Sequence, residues 1–174
     1  FELSIEISEP YEFSKEGLSR IDQNSWVKNQ WPLVYFIRHE DKKLAYVGET
    51  TNGSARIRNH LGNKERLKLN KISIIGSDKF NKSATLDIEA QLIQYLFAEQ
   101  SYELQNGNHG LVNHKYYQQD LYQNLFREIW HKLMERKIVT KSLKELENTD
   151  LFKYSPYKSL NEDQFKSALE ILTG

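Results

Sequence analysis

Cysteine is absent from the chain, which excludes disulfides and thiolate metal sites. No apolar run is long enough to span a bilayer, and no apolar N-terminal segment reads as a secretory leader. A soluble cytoplasmic protein with no membrane partner is the expectation. The start at Phe1 rather than methionine is compatible with a trimmed leader. Net charge is lacking too: 24 basic residues balance 24 acidic ones, so there is no global signature of a polyanion partner. With 174 residues the chain can bury one sizeable core and still carry an appendage.

What is present is local. Between Arg56 and Lys71 stand Arg56, Arg58, Lys64, Arg66, Lys68 and Lys71 against the single acid Glu65. Such a stripe is either a phosphate-backbone footprint or a solvated helix face. Ten tyrosines and three tryptophans can stack bases or fill a core, and the core is the better fit. Residues 2–7 alternate as a short strand, and 14–29 read as a polar helix. Two β-rich runs, 33–38 and 44–48, flank a turn near Glu40-Asp41 and form a hairpin signal. Thr51 or Asn52 can cap a helix that Gly62 ends, giving about ten residues. A third strand follows at 71–76, then a strongly periodic helix at 83–98 and a loop rich in Asn, Gly and His at 103–117. A long helix over 117–137 places Tyr122, Leu125, Phe126, Ile129, Trp130 and Leu133 on one stripe, which reads as core or partner surface. From Asp150 a new unit is expected, with a capping box at Ser159–Glu162 opening a last helix. That helix ends with the chain, as in a truncated longer protein. The order of elements predicts an α+β domain on a small antiparallel or mixed three-stranded sheet flanked by helices, with a helical C-terminal extension.

Gly48 and Gly53 have the spacing of a phosphate-cradling P-loop, but the next residues are Ser54 and Ala55. The lysine and hydroxyl that such a loop needs are missing, so nucleotide hydrolysis here is rejected. A different constellation remains. Tyr35 and Tyr46 become neighbours on one face if the turn centres near Glu40-Asp41, and they stay on one face if it shifts by an even number. Gly48 leaves room for a backbone or ligand to approach. Arg56 and His60, four apart, share a helix face, with Arg suited to phosphate and His to proton relay. Glu89 stands within the apolar stripe of Leu86, Leu92, Ile93 and Leu96. It must be paired, reach the rim or bind a cation. A salt bridge to Arg56 and a Mg²⁺ site are both compatible with its position.

Tyr35, Tyr46-Val47-Gly48, Arg56, His60 and Glu89, in this order, resemble the GIY-YIG endonuclease family over residues 33–108. The resemblance implies a small domain with the tyrosines on a hairpin, the arginine on a helix and a metal-binding glutamate on a later helix. It divides the chain into an N-terminal extension (1–32), a nuclease domain (33–115) and a helical extension and linker (116–174). It implies catalytic roles for Tyr35, Tyr46, Arg56, His60 and Glu89, with Glu89 holding Mg²⁺ or Mn²⁺. Gly48, Arg58, Lys64, Arg66, Lys68 and Asn106 would contact substrate, with Asn108 and Asn113 as rivals of Asn106. The segments LQNGNHG, NHKYY and LFKYSPYKSL resemble bacterial proteins in which such a domain precedes a superfamily-1-type helicase, which implies a helicase domain in the full-length chain.

Two departures stand out. The first motif reads Leu33-Val34-Tyr35, without glycine, and Glu49 follows Gly48, where an acid could repel phosphate or provide a second cation contact. The implied activity is metal-dependent hydrolysis of DNA. A DNA-binding or protein-interaction module that targets an attached helicase is the alternative.

Overall fold

The computed structural model describes residues 5–106 and 119–153. Its centre is a hairpin of β3 (Leu33–His39) and β4 (Leu44–Thr50), with β5 (Lys71–Ser77) antiparallel to β3 on the other side. These are the three strands the sequence predicts. Short strands extend them: β1 (Ile5–Ile7) and β2 (Tyr11–Glu12) pair antiparallel with β5, and β6 (Glu103–Leu104) pairs parallel with β4. The order is β1-β5-β3-β4-β6. β3 lies in the middle and is buried along almost its whole length, which explains its unbroken apolar run.

Each face of the sheet carries its own core. Val34, Phe36, Ala45, Val47 and Ile75 face α4 (Lys82–Glu99) and α5 (Gln119–Glu135). Leu33, Tyr35, Ile37, Ile72 and Ile74 face the helices α1 (Leu18–Gln23), α2 (Ser25–Lys28) and α3 (Gly53–Leu61). The predicted helix over 14–29 is in fact two. Asn24 leaves helical geometry, and its side chain accepts from Trp26 N to cap α2.

α3 begins where the Asn52 side chain accepts from Ala55 N, and Gly62 ends it. α4 begins in the same way at Asn81 and ends at Gln100, which adopts the left-handed conformation. The predicted stripe of α5 is core: Tyr122, Leu125, Phe126, Ile129, Trp130 and Leu133 are each at most 3% exposed. Two short helices, α6 (Leu143–Glu147) and α7 (Asp150–Lys153), then pack on α4. The expected break at Asp150 is thus overridden locally, because Phe152 sits in the main core against Tyr95 at 4.5 Å. The capping box at 159–162 and most of the helicase-like segments lie outside the described residues, as do Asn108 and Asn113. Among the described residues no helix is long and apolar enough to cross a membrane.

Candidate active site

The hairpin register decides where the tyrosines stand. Tyr35 pairs with Gly48, and Tyr46 pairs with Ile37. The turn is two residues later in pairing than one centred on Glu40-Asp41, an even shift, so both rings remain on the α3 face. Their centroids lie 6.3 Å apart, with ring planes 27° from parallel. A Cβ at position 48 would overlap the Tyr35 ring and hydroxyl. The space that glycine leaves is therefore filled by Tyr35, not by a free approach route. Across this gap the fully buried Tyr35 reaches α3, where its Oη lies 2.6 Å from His60 Nε2.

α3 supplies two groups to this cluster from one face. His60 packs its ring against Tyr46 at 4.9 Å and Tyr35 at 5.4 Å. Burial first, then the Arg56 and Arg66 charges, push its pKa down to about 4, so it is neutral near pH 7. Arg56, one turn earlier and exposed, has the hydroxyls of both tyrosines as its electrostatic neighbours, Tyr35 first, and they reinforce its charge. Burial raises the Tyr35 pKa far above the usual phenol range. The Tyr46 and Glu89 charges add to this and Arg56 opposes it. Tyr35 therefore keeps its proton.

The second half of the site lies on the α4 face. Glu49, one residue past Gly48, turns to that side, and its carboxylate accepts from Lys82 Nζ at 2.7 and 2.8 Å and from Thr85 Oγ1 at 3.2 Å. Glu89 is on the same face of α4, two turns beyond Lys82. Its pKa is pushed up to about 7, by burial first and then by the Glu49 charge. The Glu49 backbone N–H, Lys82 and Arg56 offset this only in part. The ion pair with Arg56 that the sequence allowed does not form, and among the described residues no cation pairs with Glu89.

Among the described residues no group of three or more His, Cys, Asp and Glu converges on one point. A half-buried carboxylate, Glu89, that no described cation pairs and that has Glu49 beside it is still a hard-oxygen donor set suited to Mg²⁺ or Mn²⁺. Such ions commonly take one or two carboxylates and complete their shell with water and substrate phosphate.

The remaining predicted substrate contacts separate. Arg58 points away from the cluster, to Asp22 at 2.9 Å and Ser54 at 2.6 Å. Lys64 is exposed, and Lys68 pairs with Glu65 at 3.0 Å. Arg66 stacks over Tyr46, its guanidinium carbon 3.7 Å from the ring centroid. Asn106 accepts from Val47 N at 3.0 Å and donates to Val47 O at 2.7 Å, continuing the pairing of β6 along β4 with a side-chain amide. Lys82 and Thr85 escaped the sequence reading. Their spacing of seven and four residues before Glu89 puts all three on one helix face, and that was the available signal.

Residues 32–102 match the GIY-YIG catalytic domain. GIY-YIG domains are nuclease domains that act on DNA, and the match supports a nuclease-type domain over this segment. The GIY-YIG match runs from the start of β3 to the residue before β6 and takes in both tyrosines, α3 and α4. No curated protein and no solved structure matches the chain.

Proposed function

We propose that this protein is a metal-dependent DNA endonuclease that hydrolyses phosphodiester bonds. The observation that carries the reading is the convergence, around Gly48, of Arg56 and two tyrosine hydroxyls with Glu89, which no described cation pairs, and with its neighbour Glu49. A Mg²⁺ or Mn²⁺ held by Glu89 would supply Lewis-acid stabilisation of a phosphate oxygen and of the leaving 3′-oxygen.

Arg56 is permanently charged and solvent-facing, so it can bind the scissile phosphate and neutralise the charge that grows on it in the transition state. Tyr46 is the base that takes a proton from the attacking water. Tyr35 remains protonated and cannot serve as that base. It fixes Arg56 and His60 relative to the strand instead. Neutral His60 shares a hydrogen bond with Tyr35 and packs on Tyr46, so it holds the base in place rather than carrying charge. Water oxygen bonds to phosphorus as the bond to the 3′-oxygen breaks, the departing oxygen takes a proton from solvent, and the products are a 5′-phosphate and a 3′-hydroxyl. Lys64 and Lys68 would track the backbone without reading sequence. A helicase domain in the same full-length chain remains part of the proposal on the resemblance alone.

The test is incubation of the protein with labelled single-stranded, duplex and forked DNA, with Mg²⁺, Mn²⁺ or EDTA, beside Glu89→Gln. Cleavage that needs the metal and disappears in the variant supports the reading. DNA binding without cleavage under every condition would replace it with an inactive binding module.

A further inference from the structure

Arg66 differs from every other cation of its stripe. It opens a 3₁₀ turn, Arg66–Lys68, and lays its guanidinium on the Tyr46 ring at 3.7 Å. One terminal nitrogen donates to Gln105 Oε1 at 2.9 Å, and Gln105 in turn donates to Glu65 O at 2.7 Å. Its Nε is buried and has no hydrogen-bond partner. A cation meant to follow phosphates keeps its donors in water, as the exposed Lys64 does. Arg66 has instead committed its face to an aromatic ring and left a donor unpaired to do so. The ring is thereby held between two groups, with Arg66 on one side and His60 in edge contact at 4.9 Å.

We propose that Arg66 is a positioning residue for catalysis: stacked on the Tyr46 ring, it holds that ring in place for the reaction, and it is not a DNA-backbone contact. The inference rests on the role proposed above for Tyr46. A cation on the face of an aromatic ring favours electron density there, and more so where water is excluded. The titratable and charged groups that face Tyr46 are Tyr35 from β3, Arg56 and His60 from α3, and Arg66 from the 3₁₀ turn. His60 is neutral and Tyr35 protonated, so Arg56 and Arg66 supply the positive charge, one near the hydroxyl and the other on the ring.

Arg66→Met and Arg66→Lys, made in the full chain, separate the possibilities. In Arg66→Met the rate constant kcat should fall about tenfold or more, while KM should stay within about twofold. Arg66→Lys keeps the charge and should recover part of the loss, and it also serves if the Met variant folds poorly. A rise in KM with kcat unchanged would make Arg66 a phosphate contact and overturn the inference.

A second readout needs no activity. In protein labelled with ¹³C at the tyrosine ζ carbon, the Tyr46 resonance is the one missing from Tyr46→Phe. At fixed pH it should shift in Arg66→Met, as the ring loses its stacked cation, and return part of the way in Arg66→Lys. An unmoved resonance in an active enzyme overturns the Arg66 inference alone. A moved resonance in a protein that cleaves nothing supports the Arg66–Tyr46 packing and overturns the nuclease reading alone.

Discussion

The two halves of the site face opposite sides of one sheet and are in opposite conditions. On the α3 side, Tyr35, His60, Arg56 and Tyr46 satisfy one another: a buried hydroxyl meets an imidazole, and a guanidinium meets two phenols. On the α4 side, Glu49 is paired with Lys82 and Thr85, while Glu89 is pushed toward its protonated form by burial and by Glu49. The first half is complete as folded, and its geometry is fixed before any ligand arrives. The second is short of positive charge and gains from a cation. The contrast teaches where a metal would be welcome, and it separates residues that orient from residues that wait.

The comparison is broken most severely by removing its two charged poles. Arg56→Ala should lower cleavage by about 10²–10³-fold, as expected for a donor aimed at developing charge. Its unfolding free energy should change little, because Arg56 is exposed; steady-state kinetics beside urea unfolding checks both.

Stability against pH sharpens the contrast, because the two halves respond with opposite sign. Folding holds His60 neutral, so the unfolded chain binds the extra proton between the ordinary pKa of 6.5 and about 4. This stability is complete above pH 6.5 and is lost as pH falls to about 4, a loss of about 3 kcal/mol that His60→Gln should remove. Glu89 works the other way. The folded chain holds its proton from pH 4.5 to about 7, where the unfolded chain has released it. Stability is therefore lost as pH rises through that window. Glu89→Gln should be more stable than wild type above pH 7, by on the order of 2 kcal/mol, yet inactive. Equal pH profiles for the two variants would erase the distinction between the halves.

The hairpin that joins the halves gives a smaller effect. Gly48→Ala places a methyl group against the Tyr35 ring and should cost about 1–3 kcal/mol. Adding Tyr35→Ala should relieve much of that penalty, and a double-mutant cycle by thermal unfolding reads the coupling.

The sequence revealed the scaffold because its signals were local. Asn52 and Gly62 bracket α3, the apolar runs at 33–38 and 71–76 are the central strands, and the α5 stripe is core. Elements carried by few residues were harder to read. Asn24 splits one predicted helix into two by taking the cap of the second. α6 escaped notice although Ser142 and Glu145 have capping-box spacing and the Ser142 side chain does cap it. In the site, residue types and order identified Tyr35, Tyr46, Arg56, His60 and Glu89, which the fold brings together. Position in the basic stripe could not tell Arg58, tied to Asp22, from Arg66, stacked on Tyr46, because their partners come from distant parts of the chain. Asn106 likewise reads as a polar loop residue until its amide is seen on the Val47 backbone.

The most direct test of the unequal halves is sub-stoichiometric Mn²⁺ added to ¹⁵N-labelled protein without DNA, because paramagnetic broadening reports even weak binding. The amides around Glu49 and Glu89 should broaden first, while those of the outlying acids Glu40 and Glu9 should not, and Glu89→Gln should abolish the preference. Broadening that begins elsewhere, or that is the same in Glu89→Gln, would contradict the assignment of the α4 side as the half that awaits a cation.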